Sequence, residues 1–536
     1  MKGLIMDYEL NVPAILRRAE QLFPRKEIVT RLPDKSFHRY TYEEFAGRAK
    51  RLASALRNLG LADGARVATL CWNHYQHLEV YFGVPLSGNV VHTLNLRLHP
   101  SDLAYIAKHA DDRVLVVDDS LLPLYQAIRE HAPFEHVVVI GSAPDGTIPY
   151  EELLADGDPG FEPADMDERD AAVMCYTSGT TGQPKGVLYS HRAIALHSLA
   201  SAQAGTLSIS ERDVVLPVVP MFHANAWGFP FTCTLVGATQ VFPGPQLDPE
   251  SLLDAFEQER VTITGGVPTI WMGILQLLDK QPDRWDLSAM RGMIVGGSAA
   301  PRAMIEGFQR RHGLHVIHAW GMTEMAPLGS VAELVSELEQ APEDEQWAYR
   351  AKQGLPAPFV EIRARGDDGL VPWDGATMGE LEVRGVWIAS RYYEDDSQAD
   401  RWTEDGWFKT GDIVTIDERG FIEIQDRSKD VIKSGGEWVS SVALENAVMG
   451  HPAVAEAAVI AVPDEKWQER PLAVVVLREG ETATADELRE FIAPQFARWQ
   501  LPDRFEFVDE IPKTAVGKFR KTALREQFAG ETVTAS

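Results

Sequence analysis

Tyr176–Val187 reads YTSGTTGQPKGV. Hydroxyls, glycines and one lysine crowd into a dozen residues, the chemistry of a phosphate cradle. Gly179 and Gly182 let backbone N–H groups point into a concavity. Thr177, Ser178, Thr180 and Thr181 add side-chain donors, and Lys185 adds a full charge. The stretch is not a Walker A loop, which ends in Gly-Lys-Ser/Thr and enters a helix. Here Lys185 follows Pro184 and precedes Gly186. The apolar run AAVMCY before it predicts a strand feeding the loop.

Outward from the loop, strand-like runs (ARVATLCW, DRVLVVDD) alternate with amphipathic stretches such as YEEFAGRAKRLASALRNLG, a predicted helix closed by Gly60. This alternation predicts an α/β fold: parallel-rich sheets covered by helices. From Gly379 the texture changes. GELEVRG and GDIVTIDERGFIEIQDR predict a small antiparallel unit, with a hairpin turn at Asp417–Gly420. A boundary is expected near Asp426–Lys429, giving a large domain over 1–426 and a small α+β domain over 427–536. In the latter, a helix near Ser441–Met449, strands AEAAVIAVP and PLAVVVL, and a helix near Ala485–Phe496 are predicted. The polar run Glu333–Gln346 is expected to be a solvated helix and loop.

The chain has 536 residues, with 24 % charged residues and a formal charge of −28. An acidic balance argues against nucleic acid as the partner. Its three cysteines, Cys71, Cys175 and Cys233, have neither disulfide nor zinc spacing, which fits a reducing compartment, the cytoplasm. The start, MKGLIMDYEL, lacks the apolar core of a signal peptide, and no run of about eighteen apolar residues predicts a membrane span. Val214–Phe231 comes nearest, but its His223, Asn225 and prolines suit a buried loop.

Four more segments occur in order with the loop: HAWGMTE (His318–Glu324), GWFKTGD (Gly406–Asp412), DRSKDVIKSGGEWVSS from Asp426, and PKTAVGKFRK (Pro512–Lys521). Together the five resemble the motifs of the adenylate-forming superfamily: acyl-CoA synthetases, luciferases and peptide-synthetase adenylation domains. VVPMFHANAWGFPF, GGSAAP and IKSGGEWVSSVALENAVMGHP are most similar to bacterial medium- and long-chain fatty acyl-CoA synthetases.

The resemblance implies a two-step reaction. A carboxylate attacks the α-phosphorus of ATP, giving acyl-AMP and pyrophosphate; the thiol of coenzyme A then displaces AMP. Thr177, Ser178, Gly179, Thr180, Thr181, Gly182 and Lys185 would hold the phosphates. Glu324, assisted by Thr177, would bind Mg²⁺, and Thr323 would donate to a phosphate or acyl oxygen. His318, Ala319, Trp320, Gly321 and Met322 would line the nucleotide site, with Gly297, Ser298, Ala299 and Ala300 as its other wall. Trp320 stands where most relatives carry Tyr; its indole can still stack on adenine. Asp412 would accept from the ribose hydroxyls, and Arg427 would reach the ribose or a phosphate.

Lys518 would stabilise developing charge in the first step, and rotation about a hinge at Lys429 would then remove it. Lys433 and Trp438 are nucleotide contacts by resemblance. Gly435 and Gly436 would approach the coenzyme A tunnel, which Trp467 and Arg470 would also touch. His223 would border the carboxylate, and Trp227 would gate an acyl tunnel. Ala443 stands where relatives often carry an acidic residue, while Glu445 remains. The fatty acyl subfamily implies a homodimer without stable membrane insertion. Three alternatives stay open: transfer of the acyl group to a carrier protein, a short thioether acid such as methylmercaptopropionate or an aryl acid as substrate, and a hydrolase built on GGSAA (Gly296–Ala300), which is close to a nucleophile elbow.

Overall fold

The computed structural model describes residues 1–536 except 2, 133, 178–182, 435–436, 465–466, 514–518 and 529–536. Alternation of strand and helix produces two large sheets among the described residues. In the nine-stranded sheet, the strands Val316–Gly321, Gly292–Val295, Ile263–Gly266, Val214–Pro217, Thr239–Phe242 and Glu27–Arg31 run parallel in that spatial order. Antiparallel strands close both of its ends. The seven-stranded sheet is parallel from Ile148–Pro149 to Ala171–Tyr176 and ends in the antiparallel strand Gly186–Ser190.

The helix Tyr42–Asn58 shows why these segments fold locally as they do. Thr41 and Glu44 form a capping box: the Glu44 N–H donates to Thr41 Oγ1 at 3.3 Å and the Thr41 N–H to Glu44 Oε2 at 2.7 Å. Phe45, Ala49, Leu52 and Leu56 form its buried stripe, and Gly60, at φ +78°, follows its end. The helix Tyr75–Leu86 is buried from His77 onwards, so it carries no polar stripe. These helices, with His191–Ala202 and Phe229–Val236, share one continuous core that reaches strands of both sheets.

The predicted antiparallel unit is a five-stranded sheet that includes Val360–Gly366, Gly379–Gly385, Phe408–Ile416 and Ile422–Arg427. Its hairpin turns where expected. Asp417 Oδ1 accepts from the Arg419 and Phe421 N–H groups, and Gly420 takes φ +86°. From Ile432 the chain builds its own sheet, with Val454–Asp464 against Gln468–Leu477, flanked by the helix Ser441–Met449. The helix expected near Ala485–Phe496 stops at Ile492 and tightens into a three-ten turn, because Pro494 cannot extend the hydrogen-bond ladder. Glu333–Gln346 holds the short helix Ser336–Glu339 and the start of Glu343–Ala351, whose Trp347 and Tyr349 are buried. Val214–Phe231 divides into a strand, a loop and the start of a helix, and no helix among the described residues is long and apolar enough to cross a membrane.

Candidate active site

Loops that leave the carboxyl ends of strands in both large sheets converge on one cavity of about 1910 Å³. Ligand sites of open α/β sheets form at this end, where the connections diverge. The phosphate loop spans Thr177–Lys185 as the tip of a hairpin: Tyr176 pairs with Gly186, and a strand follows, not a helix. Its neck is closed by reciprocal bonds. The Thr177 N–H donates to the Lys185 carbonyl at 2.9 Å, and the Lys185 N–H to Thr177 Oγ1 at 3.1 Å. Thr177 and Lys185 line the cavity. Burial lowers the Lys185 pKa, and Arg401 lowers it further. Ser178, Gly179, Thr180, Thr181 and Gly182 lie outside the described residues.

Val316–Gly321 delivers His318, Ala319, Trp320 and Gly321 to the cavity, and the following turn delivers Met322, Thr323 and Glu324. Trp320 is nearly buried, and its indole N–H donates to Asp412 Oδ2 at 3.1 Å. Arg427 Nε lies 2.8 Å from the other oxygen, Asp412 Oδ1. Asp412 is therefore buried and oriented from two sides, each oxygen keeping a lone pair for a further donor. The departure from Tyr to Trp thus supplies a hydrogen bond as well as a ring. Gly329 allows it, since a Cβ there would meet the indole at 2.5 Å.

Glu324 is buried, and its Oε1 accepts from the Tyr392 hydroxyl at 2.6 Å. Among the described residues its Oε2 receives no hydrogen bond. The Glu324 carboxylate and the Thr177 hydroxyl line the same cavity, and oxygen donors of this kind are what Mg²⁺ prefers. Tyr392 escaped the sequence reading because no phosphate or ribose motif contains it. Arg401, also on the cavity wall, escaped for the same reason.

The opposite wall is Gly297, Ser298 and Ala299, with Ala300 buried behind them. The strand end at Gly296–Gly297 seats the Trp227 ring: a Cβ on Gly296 would come within 3.3 Å of it. Trp227 sits in a run from Ala224 to Gly228 in which every φ is positive, between +42° and +78°. Left-handed backbone costs about 1–2 kcal/mol per non-glycine residue, so the surroundings must enforce this turn. The Ala226 N–H bonded to the His223 carbonyl and the buried Asn225, which accepts from Cys175 Sγ, do so. His223 and Trp227 both line the cavity, which also takes in Leu207, Met272, Leu275 and Met304. The hydrolase alternative finds no support here. His318, whose pKa burial lowers to about 4, turns Nδ1 to the Ala351 carbonyl at 3.0 Å.

The C-terminal residues divide. Lys429 lines the cavity, as do Lys513, Phe519 and Arg520, which flank the lysine loop; Lys518 itself lies outside the described residues, as do Gly435 and Gly436. Lys433 and Trp438 pair with each other across a hairpin and do not line the cavity. Trp467 is 40 % exposed, outside it. Arg470 is 5 % exposed and spends its guanidinium on Asp503, at 2.6 and 2.9 Å, on Ser434 Oγ and on the Trp499 and Leu501 carbonyls. Its geometry is that of a packed structural arginine. Ser440 Oγ caps the helix Ser441–Met449 at the Ala443 N–H; Glu445 is buried and accepts from Lys521 at 2.7 Å.

The AMP-binding enzyme family matches residues 16–393, and the AMP-binding enzyme C-terminal domain matches residues 443–518. A long-chain-fatty-acid–CoA ligase of Thermus thermophilus is 52 % identical, covering 98 % of this chain and 96 % of its own. A 3-methylmercaptopropionyl-CoA ligase of Ruegeria pomeroyi is 44 % identical (98 % and 99 %), and a medium-chain-fatty-acid–CoA ligase of Ectopseudomonas oleovorans 41 % (98 % and 98 %). The crystal structure of the anthranilate CoA ligase AuaEII with anthranoyl-AMP superposes with a TM-score of 0.87 at 27 % identity, covering 98 % of this chain and 99 % of that one. A glycine- and threonine-rich hairpin, a doubly held buried carboxylate and a buried glutamate on one cavity agree with these likenesses: the chain belongs to the AMP-binding enzymes of the adenylate-forming superfamily, as an ATP-dependent acid–CoA ligase.

Proposed function

We propose that the acid is a medium- or long-chain fatty acid, activated first to acyl-AMP and then to acyl-CoA. The observation that carries this reading is the apolar part of the cavity. Leu207, Met272, Leu275 and Met304 share one space with the phosphate hairpin and with His223 and Trp227. An alkyl chain gains about 0.8 kcal/mol for each CH₂ it buries in such surroundings. The Thermus and Ectopseudomonas relatives, named for long- and medium-chain fatty acids, favour the same class.

In the first step the acid's carboxylate oxygen attacks the α-phosphorus, and the bond from that phosphorus to the bridging oxygen breaks, so pyrophosphate leaves. No enzyme nucleophile is required; the protein positions the reactants and stabilises charge. The phosphate hairpin holds the β- and γ-phosphates through Thr177 and Lys185. Asp412, fixed by Trp320 and Arg427, accepts from the ribose hydroxyls, and the Trp320 ring faces the adenine. His223 borders the carboxylate, Thr323 donates to an acyl or phosphate oxygen, and Trp227 gates the alkyl chain. Glu324 and Thr177 would hold Mg²⁺, which when bound neutralises phosphate charge. Lys518 places a cation at the α-phosphate. In the second step the coenzyme A sulfur attacks the acyl carbon, the acyl C–O bond breaks, AMP leaves and the thiol proton passes to solvent. Rotation about Lys429, a hinge just past the 426/427 boundary, exchanges Lys518 for the segment that contains Gly435 and Gly436.

The test is a panel of acids from acetate to palmitate, with an aryl acid and methylmercaptopropionate. Pyrophosphate release and acyl-CoA formation are followed separately, with and without coenzyme A. Acyl-CoA from acids of about eight carbons or more is the expected result. Preference for methylmercaptopropionate, the acid named in the Ruegeria relative, would overturn the fatty acid assignment.

A further inference from the structure

Residues 389–402 are threaded between the two halves of the phosphate site. The Ala389 N–H donates to the Glu324 carbonyl at 2.8 Å, and the Tyr393 N–H to the carbonyl of Gly186, at the neck of the phosphate hairpin, at 2.9 Å. Trp402 closes the segment on itself: its indole N–H bonds the Ala389 carbonyl at 2.7 Å, and its ring meets Tyr392 edge-on at 5.2 Å. Tyr392, 4 % exposed, lies where these ties cross. Its hydroxyl donates to Glu324 Oε1 at 2.6 Å, and the Lys185 ammonium sits 5.1 Å from the centre of its ring. One side chain therefore touches both a carboxylate and a cation that come from different sheets, 139 residues apart in sequence.

We infer that Tyr392 is a positioning residue that sets Glu324 and Lys185 in one fixed geometry for the metal-bound triphosphate. This rests on the nucleotide-activating reading above. The physical reasons are separable. A hydrogen bond to one carboxylate oxygen fixes the rotation of the group and leaves the other oxygen aimed at the cavity, as outer partners of metal ligands do. A ring face holds an ammonium without neutralising it, so Lys185 keeps its charge for phosphate. An acidic partner in place of the ring would spend that charge.

Tyr392→Phe keeps the ring and removes the hydroxyl; Tyr392→Leu removes both. ATP binding without acid is measured by titration calorimetry, over a Mg²⁺ series and in EDTA. Tyr392→Phe is expected to raise the Mg²⁺ concentration needed for half of the metal-dependent gain in ATP affinity at least fivefold, with affinity in EDTA unchanged. Tyr392→Leu is expected also to weaken binding in EDTA at least threefold. In a Glu324→Gln background Tyr392→Phe should shift nothing further, an outcome that a merely structural role would not produce. An unchanged Mg²⁺ requirement in Tyr392→Phe overturns the inference. So does a melting temperature more than about ten degrees below that of the unaltered protein, which would assign the hydroxyl to folding. If the unaltered protein binds ATP with Mg²⁺ linkage but never exchanges pyrophosphate with any acid, the ligase reading fails and this one stands.

Discussion

The nucleotide wall and the C-terminal hairpin carry equally recognisable motifs, yet they are built differently. In the nucleotide wall the motif side chains hold one another: Trp320 and Arg427 both bond Asp412, and Tyr392 holds Glu324. In the C-terminal part Lys433 and Trp438 stand outside the cavity, and Arg470 is consumed by Asp503 and backbone carbonyls. The first is preorganised for a ligand in the arrangement seen. The second presents Lys513, Phe519 and Arg520, which flank its lysine loop, and Lys429 to the cavity, an arrangement that the proposed exchange of faces between the two steps would use.

The strongest way to break this comparison is Lys518→Ala. It is expected to slow pyrophosphate release by about 10²–10³-fold, while thioester formation from supplied acyl-AMP changes less than tenfold. Equal losses in both steps would remove the exchange of faces. Arg470→Ala comes next. Because it leaves the Trp499 and Leu501 carbonyls and Ser434 without their buried donor, the expected loss is about 3 kcal/mol of stability in chemical denaturation, with the KM for coenzyme A unchanged in the folded fraction. A raised KM with unaltered stability would return Arg470 to the coenzyme A site. Trp320→Phe keeps a stacking ring but frees Asp412 Oδ2, and a roughly tenfold rise in the KM for ATP is expected, about 1.4 kcal/mol.

The smallest effect concerns the support beneath the Trp227 turn. His197 accepts the Leu328 N–H at 3.3 Å, and a Cβ on Gly228 would meet its ring at 2.5 Å. Burial lowers its pKa from 6.5 to about 4. A lowered histidine pKa means that the unfolded chain takes up protons first, so this stability is complete above pH 6.5 and is lost as pH falls towards 4. The stability advantage of the unaltered protein over His197→Gln should therefore narrow by about 1 kcal/mol between pH 6.5 and 5.5. A constant difference would show that His197 is not the linked group.

Much of this molecule was legible because its signals are local. The helix from Tyr42 closed by Gly60, the turn at Asp417–Gly420 and the helix Ser441–Met449 depend on neighbours within a few residues, and each formed where the pattern put it. The family resemblance, too, lay in contiguous motifs. The left-handed run from Ala224 to Gly228 was not legible, since nothing in HANAWG demands positive φ at non-glycine residues. It is imposed by packing against Gly265, Gly296 and His197.

By itself, then, the sequence determined the α/β class and the ordered set of motifs that places the chain in its family, because composition, periodicity and short contiguous patterns are properties of neighbouring residues. Only the tertiary structure decided that Tyr392 joins Glu324 to Lys185, that Trp320 bonds Asp412, and that Arg470 is spent inside its own domain. Those partners come from distant segments, and which of them meet is set by how the sheets pack, a quantity no local stretch of chain contains.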